Sequence, residues 1–287
     1  MQTILTTGAV MLTIAAAVAS GVPSSSNQQE KEQAMTEASK PIPVQPVNDL
    51  TIKVVYDNNP HKEGLETAWG FSAFITGAEK NILFDTGGDG PLLLRNMQRL
   101  QVDPKTIDAV VLSHVHADHT GGLGGFLDKN PNVTVYVLKS FPARIADEAR
   151  KRGAKVVEVK EPLQVCGNVY STGQLGRLIK EQSLIIRTKA GLVIISGCAH
   201  PGIAGIVNTA KSQIDGDILL VMGGFHLEWA TKGKIEKIIA AFKQMGVRYA
   251  GPCHCSGDKA RSLFEKRFGK NYIRIGVGKV ITLADLQ

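Results

Sequence analysis

The sequence predicts an α/β fold with helices packed outside a β-sheet. Three observations lead there. Apolar runs of strand length alternate with amphipathic stretches of helix length from residue 107 to residue 268. Hydrophobic residues make up 43% of the 287 positions, enough for a sizeable core in one or two domains. Several strand-like runs lead straight into loops rich in glycine and histidine, which marks those loops as a site rather than as core.

Residues 4–19 are an apolar run rich in Ala, Val and Thr, and Ala17-Val18-Ala19 is a small-residue cleavage pattern. Residues 1–20 therefore read as a secretory signal peptide, although Met1-Gln2-Thr3 lacks Lys and Arg. The run is shorter than the ~20 apolar residues of a membrane span. Cleavage implies a periplasmic or extracellular protein with no stable membrane insertion. Without cleavage the chain is membrane-tethered or cytoplasmic. Residues 21–49, with Ser24-Ser25-Ser26-Asn27-Gln28-Gln29 and three spaced prolines, read as a disordered or extended linker. Residues 50–287 then form the folded domain.

That domain opens with a strand at 50–56. Residues 69–76 and 81–84 read as a hairpin around Gly77-Ala78-Glu79-Lys80. A helix follows at 91–100, with Leu93, Leu94, Met97 and Leu100 on one face. Strands are expected at 107–112, 132–138, 155–159, 166–172, 183–187 and 192–196. Helices at 123–129 and 142–152 separate the early ones. Pro201 opens another helix, and 217–222 and 247–250 are strands. Residues 233–245 form a helix with a buried stripe of Ile235, Ile238, Ile239, Phe242 and Met245. A helix at 259–268 and closing strands at 273–277 and 279–283 complete the chain.

The chemistry centres on residues 113–122, Ser-His-Val-His-Ala-Asp-His-Thr-Gly-Gly. Four groups able to bind a metal fall within six residues. In extended chain, side chains at i and i+2 share a side, so His114 and His116 can reach one ion. Asp118 and His119 follow the bend and can reach a second. Zinc takes His nitrogen at ~2.0–2.1 Å and carboxylate oxygen at a similar distance, usually tetrahedrally. Two pairs, each needing completion from elsewhere, predict two divalent ions. Zinc suits the His-dominated set; manganese or iron remain alternatives.

His114-x-His116-x-Asp118-His119 resembles the signature of the metallo-β-lactamase fold superfamily. Phe84-Asp85-Thr86-Gly87 resembles its strand-end aspartate. The stretches from Ile195 to Ile203, Gly223 to Leu227 and Gly251 to Gly257 narrow the likeness. Together they are similar to the branch of dihydropterin-ribofuranosyl-aminobenzene-phosphate synthase-like metal-dependent hydrolases. The resemblance runs from about residue 50 to the C-terminus. It implies a four-layer αββα sandwich with two mixed β-sheets and helices outside. It also implies His200 as the residue completing the first metal and His254 the second. Asp118 and His226 are the expected catalytic groups, Asp118 orienting the nucleophile and His226 transferring a proton. Asp85 is expected to hold the metal loop. Glu181 and Ser256 are expected near the metals or the substrate, Ser256 at a helix start able to take an anion. Many superfamily members carry a bridging aspartate where Cys198 stands. Cys198 is therefore either a ligand or a small buried residue. If residues 253–255 are extended, Cys253 and Cys255 point away from the ion. The branch often has His where Trp69 stands.

The expected activity is that of a binuclear metal-dependent hydrolase, using a metal-activated hydroxide on a small-molecule ester or phosphoester. A β-lactam or lactone hydrolase of the same fold is the near alternative. A non-catalytic metal-binding or ligand-sensing module is the distant one, disfavoured by the intact ligand set. Residues 50–287 hold 31 basic and 22 acidic side chains, a net +9 that favours an anionic substrate. No Lys/Arg-rich block or basic stripe interleaved with aromatics supports nucleic-acid binding.

Overall fold

The computed structural model describes residues 46–287. The expected signal peptide, and the expected linker as far as residue 45, lie outside those residues. Two mixed sheets carry the fold. The first contains β1 (Thr51–Asp57), β2 (Phe71–Thr76), β3 (Ile82–Phe84), β4 (Ala109–Val111), β5 (Thr134–Leu138) and β6 (Lys155–Val159), side by side in chain order. The second contains β7 (Leu163–Cys166), β8 (Val169–Ser171), β9 (Leu184–Thr188), β10 (Gly191–Ser196), β11 (Ile218–Gly224) and β12 (Tyr249–Cys253), again adjacent in chain order. The last strand, β13 (Val280–Thr282), returns to pair antiparallel with β1. Within the first sheet β3, β4, β5 and β6 run parallel; within the second β10, β11 and β12 do. The remaining pairs are antiparallel.

Helices α1 (Gly90–Arg99), α2 (Ala117–Thr120), α3 (Leu123–Leu127) and α4 (Ala143–Lys151) lie among the first-sheet strands in the chain. Helices α5 (Ile203–Gln213), α6 (Lys232–Gln244) and α7 (Gly257–Phe268) lie among those of the second. The start of α1 follows from its sequence. Asp89 accepts the Leu92 N–H at 2.6 Å, and Pro91 sits in the first turn, where a missing N–H costs nothing. Thr231 caps α6 in the same way through the Lys234 N–H.

Strand periodicity explains the layers. In β10, Val193 and Ile195 join the large core shared with the first sheet, while Leu192 and Ile194 join a second cluster with helix residues Ile206, Ile235 and Phe242. In β9, Leu184 and Ile186 take the first side and Ile185 the other. A strand buried on both faces needs an apolar layer on each, and successive residues alternate between them. The result is the expected αββα arrangement.

Three expectations change. The single strand expected at 166–172 is a hairpin, because Cys166 pairs with Val169 and Gly167 takes the positive φ that so tight a turn needs. The strand expected at 273–277 does not form. Tyr272 bridges Ala250 at the edge of the second sheet, and Val277 bridges Pro60 beside the first. The segment therefore spends its length passing between sheets, although Ile275 and Val277 are fully buried. Val47, inside the expected linker, bridges Thr188 and is buried.

Phe225, Phe242 and Phe264 pack edge to face under the second sheet, with centroids 5.5–5.7 Å apart. Phe242→Ala empties the middle of this cluster. It should cost ~3–5 kcal/mol of stability, read from the midpoint of a urea unfolding curve at unchanged slope.

Candidate metal centre

Every element of the site sits at the carboxyl end of a strand. Asp85 follows β3 and the 113–119 loop follows β4. Cys198 and His200 follow β10, His226 follows β11, and His254 follows β12. The chain turns sharply at these points. Asp85, Ala199, His226 and His254 all have positive φ, between 47° and 59°; only one other described non-glycine residue, Gln101, does. Such conformations cost free energy and persist where the surroundings fix them.

The side chains converge in two adjacent groups, and a third set of Cys198, His200 and His226 overlaps both. One contains His114, His116 and His200; the other contains Asp118, His119, His254 and Cys198. Within each, the ligand atoms lie within 4.8 Å of one another. The His114 and His119 rings, with centroids 4.2 Å apart, join the two. All six residues expected from the sequence as metal ligands are thus brought together, and Cys198, open between ligand and buried residue, is both buried and among the second group.

The hydrogen bonds fix the tautomers. Asp85, fully buried, accepts the Ser113 N–H at 2.6 Å through Oδ1. Its Oδ2 faces His119 Nδ1 and the Ser113 hydroxyl, each at 2.7 Å. His119 Nδ1 therefore carries the hydrogen, leaving a lone pair on Nε2. Because the Ser113 hydroxyl donates to Asp85, its oxygen accepts from His114 Nδ1 at 2.9 Å. His114 Nε2 is then also a bare lone pair. On the far side Asn58 Oδ1 lies 2.9 Å from His254 Nδ1, an acceptor that fixes the same tautomer.

The consequence is a set of lone pairs pointed at one another. His119 Nε2 lies 3.3 Å from His254 Nε2, 3.2 Å from Cys198 Sγ and 3.6 Å from Asp118 Oδ2. His254 Nε2 lies 3.3 Å from the same Asp118 oxygen. Two bare nitrogens cannot hydrogen-bond. Two nitrogens on one tetrahedral zinc lie about 3.3–3.4 Å apart. In the other group His114 Nε2 is 3.1 Å from His116 Nδ1, and His200 Nε2 is buried with no hydrogen-bond partner. The donor set fits a divalent cation in each group.

Charge behaviour follows from this crowding. Burial, then the neighbouring imidazoles, push His114 far below the usual range for protonation. Burial followed by His226 and His116 lowers His200 to about 4. Burial alone would lower His119 too, but Asp85 and Asp118 outweigh it and raise it. Burial raises Asp118, yet the His254 ring in contact with it, and the His119 ring beside it, bring it down to about 2. The Cys198 and Cys255 thiols share a hydrogen, which pushes Cys198 up and Cys255 down; the Cys255 contact in turn raises His226.

Glu181 supports the donor loop rather than the substrate, and Ser256 does other work than expected. Glu181 is buried and accepts the N–H groups of Gly197, Cys198, Ala199 and His200 at 2.8–3.1 Å. Both its oxygens are taken up in holding that loop, so it does not face substrate. Ser256 is fully buried and its hydroxyl accepts the Phe225 N–H at 3.0 Å. It leaves the start of α7 uncapped, which removes it as an anion contact. Cys255 also departs from expectation. His254 is left-handed and residues 254–256 form a single 3₁₀ turn, so alternation fails. Cys253 then turns toward Asp57, while Cys255 turns toward Cys198 and His226. Ser113 and Asn58 were not foreseen. Ser113 adjoins His114 and was open to inference; Asn58 lies 196 residues from His254 and carried no local signal.

An αββα sandwich with histidine, aspartate and cysteine donors grouped at its strand ends defines a protein of the metal-binding class. Residues 70–202 match the family model of the metallo-beta-lactamase superfamily. A protein of Methanocaldococcus jannaschii, 7,8-dihydropterin-6-methyl-4-(beta-D-ribofuranosyl)-aminobenzene-5'-phosphate synthase, is 31% identical over 250 residues, which span 71% of this chain and 85% of that protein. A solved metal-dependent hydrolase of the β-lactamase superfamily superposes with a TM-score of 0.68 at 28% identity, over 81% of this chain and 98% of its own. The metallo-beta-lactamase fold protein YhfI from Bacillus subtilis shares the fold alone, with a TM-score of 0.63 at 16% identity over 82% and 99%. The chain belongs to the metallo-β-lactamase superfamily.

Asp85→Asn places an NH₂ donor against the His119 and Ser113 hydrogens. It should weaken the binding of zinc by ~10–100-fold, measured by competition with a chromogenic chelator. An unchanged affinity would detach Asp85 from the metal centre.

Proposed function

We propose that the protein is a binuclear metal-dependent hydrolase acting on a small-molecule ester or phosphoester. The observation that carries this reading is the pair of donor groups, in which His114, His119 and His254 aim lone pairs inward and hold their hydrogens outward. His114, His116 and His200 would hold one ion. Asp118, His119 and His254 would hold the other together with Cys198, whose thiol a metal would deprotonate. Zinc is the first choice for such donors, with manganese or iron as alternatives. When bound, the ions acidify a water to a pKa of ~7 and polarise the substrate oxygen.

The chain's own residues supply the rest. Asp118 keeps its carboxylate ionised through acid pH and has 21% of its side chain open to solvent, so it accepts a hydrogen bond from the attacking water. His226 is exposed, with its ring centroid 4.5 Å from that of His200. Cys255 favours its protonated form, which suits a proton donor to the leaving group. Asp85 and Glu181 hold the two loops that carry the donors. The net +9 of residues 50–287 supports an anionic, phosphate-bearing substrate. The name of the M. jannaschii relative also carries a phosphate.

Elemental analysis of metal-replete protein should find about two ions per chain, as the two-ion reading requires. His116→Ala and His254→Ala should each remove about one ion and lower turnover at least ~100-fold, in a screen of phosphodiester, lactone, thioester and β-lactam reporters. Two bound ions with no turnover on any reporter would favour a non-catalytic metal-binding module.

Removing metal should also loosen the fold, because the ions bind only the native arrangement. Chelator-treated protein should melt several degrees below the zinc-loaded form in a calorimetric scan. Equal melting temperatures would mean that the donors hold no ion.

A further inference from the structure

The chain has two tryptophans, Trp69 and Trp229, and both are exposed, at 48% and 91%. Large aromatic side chains are seldom left open without a partner. They are 160 residues apart in sequence, yet both line one cleft of about 420 Å³. His226 lines it as well, and the Trp69 ring centroid lies 4.8 Å from that of His254. The cleft thus lies beside the donor groups, with His226 in its wall packed against His200 and Trp69 against His254, and leads out between loops following β11 and preceding β2. Its volume suits a small organic group rather than a polymer.

The polar lining narrows the choice of ligand. Lys234 and Glu228 face the cleft with opposite charges, and Thr231 stands beside them. Such a wall does not call for a second net charge. It offers a donor and an acceptor to the edge of a polar ring, while the tryptophans offer faces for stacking.

We propose that this cleft holds a planar aromatic or heteroaromatic ring, attached to the ester or phosphoester group that meets the metals. The hydrolase reading supplies only the position of the scissile group; the ring site follows from the cleft itself. Specificity then favours aryl over alkyl substrates, and Trp69 and Trp229 determine it.

Because both tryptophans line the cleft, intrinsic fluorescence reports its occupancy without turnover. The probes are two non-hydrolysable anions, 1-naphthylmethylphosphonate and n-butylphosphonate, titrated into zinc-loaded full-length protein. The naphthyl compound should quench tryptophan emission saturably and bind at least ~10-fold more tightly than the butyl compound. Trp229→Ala, at a position too exposed to support the fold, should erase most of that difference, and Trp69→Ala should reduce it. Equal affinities for the two phosphonates, or an aryl preference that survives both substitutions, would overturn the proposal. Saturable quenching in a protein that hydrolyses none of the reporters would sink the hydrolase reading and leave the ring site standing. Turnover without an aryl preference would do the reverse.

Discussion

The buried carboxylate of Asp85 is the constraint on which the rest of the site depends. Three hydrogens converge on it, from the Ser113 amide, the Ser113 hydroxyl and His119 Nδ1. A carboxylate removed from water at such depth is stable only if its lone pairs are met. Meeting them sets the orientation of one histidine in each donor group, His119 directly and His114 through Ser113. Packing here is close enough to dictate sequence elsewhere. A Cβ on Gly197 would overlap the Ser113 hydroxyl and come within 2.9 Å of Asp85 Oδ2, so the loop after β10 can pass only as glycine.

That loop is governed by a second buried carboxylate. Glu181 gathers four successive amides from Gly197 to His200. The first sheet therefore presents His114, His116, Asp118 and His119 under the control of Asp85. The second presents Cys198 and His200 under the control of Glu181. Parallel strands end on one side within each sheet, and the His114–His200 and His119–His254 ring contacts bring the two sets of loops together. Left-handed turns at Asp85, Ala199, His226 and His254 aim the side chains inward. The free-energy cost of those turns is tolerable because the hydrogen bonds around them leave no alternative.

What could be read from the sequence divides along the same physical line. The 114–119 cluster was legible because its spacing is local, and the strands before it and before His200 and His254 were legible from apolar runs. Period-two reasoning failed at Cys255 because His254 leaves the extended region, which no pattern of hydrophobicity reveals. It failed again at residues 273–277, where alternating apolar residues cross between sheets instead of pairing within one. Glu181 was indistinguishable from a surface glutamate, since its role depends on four amides lying 16–19 residues onward. The same limit hid Asn58 and the tryptophan cleft. Local spacing reports a motif, whereas long-range contact assembles its support.

The arrangement separates the residues grouped as metal donors from those that line the outer cleft. His114, His119, Cys198 and His254 are buried and tied to neighbours by hydrogen bonds or close donor contacts, so replacing any of them disturbs several contacts at once. Trp69, Glu228 and Trp229 line the outer cleft, exposed and outside every strand and helix. Substitution there removes contacts with a ligand but few with the protein. A rigid donor set framed by adaptable loops lets one kind of centre serve different organic groups. In this chain the loops present tryptophan on both sides of the cleft, and under the reading proposed above it is that choice, rather than the donors, that bears on which molecule is taken up.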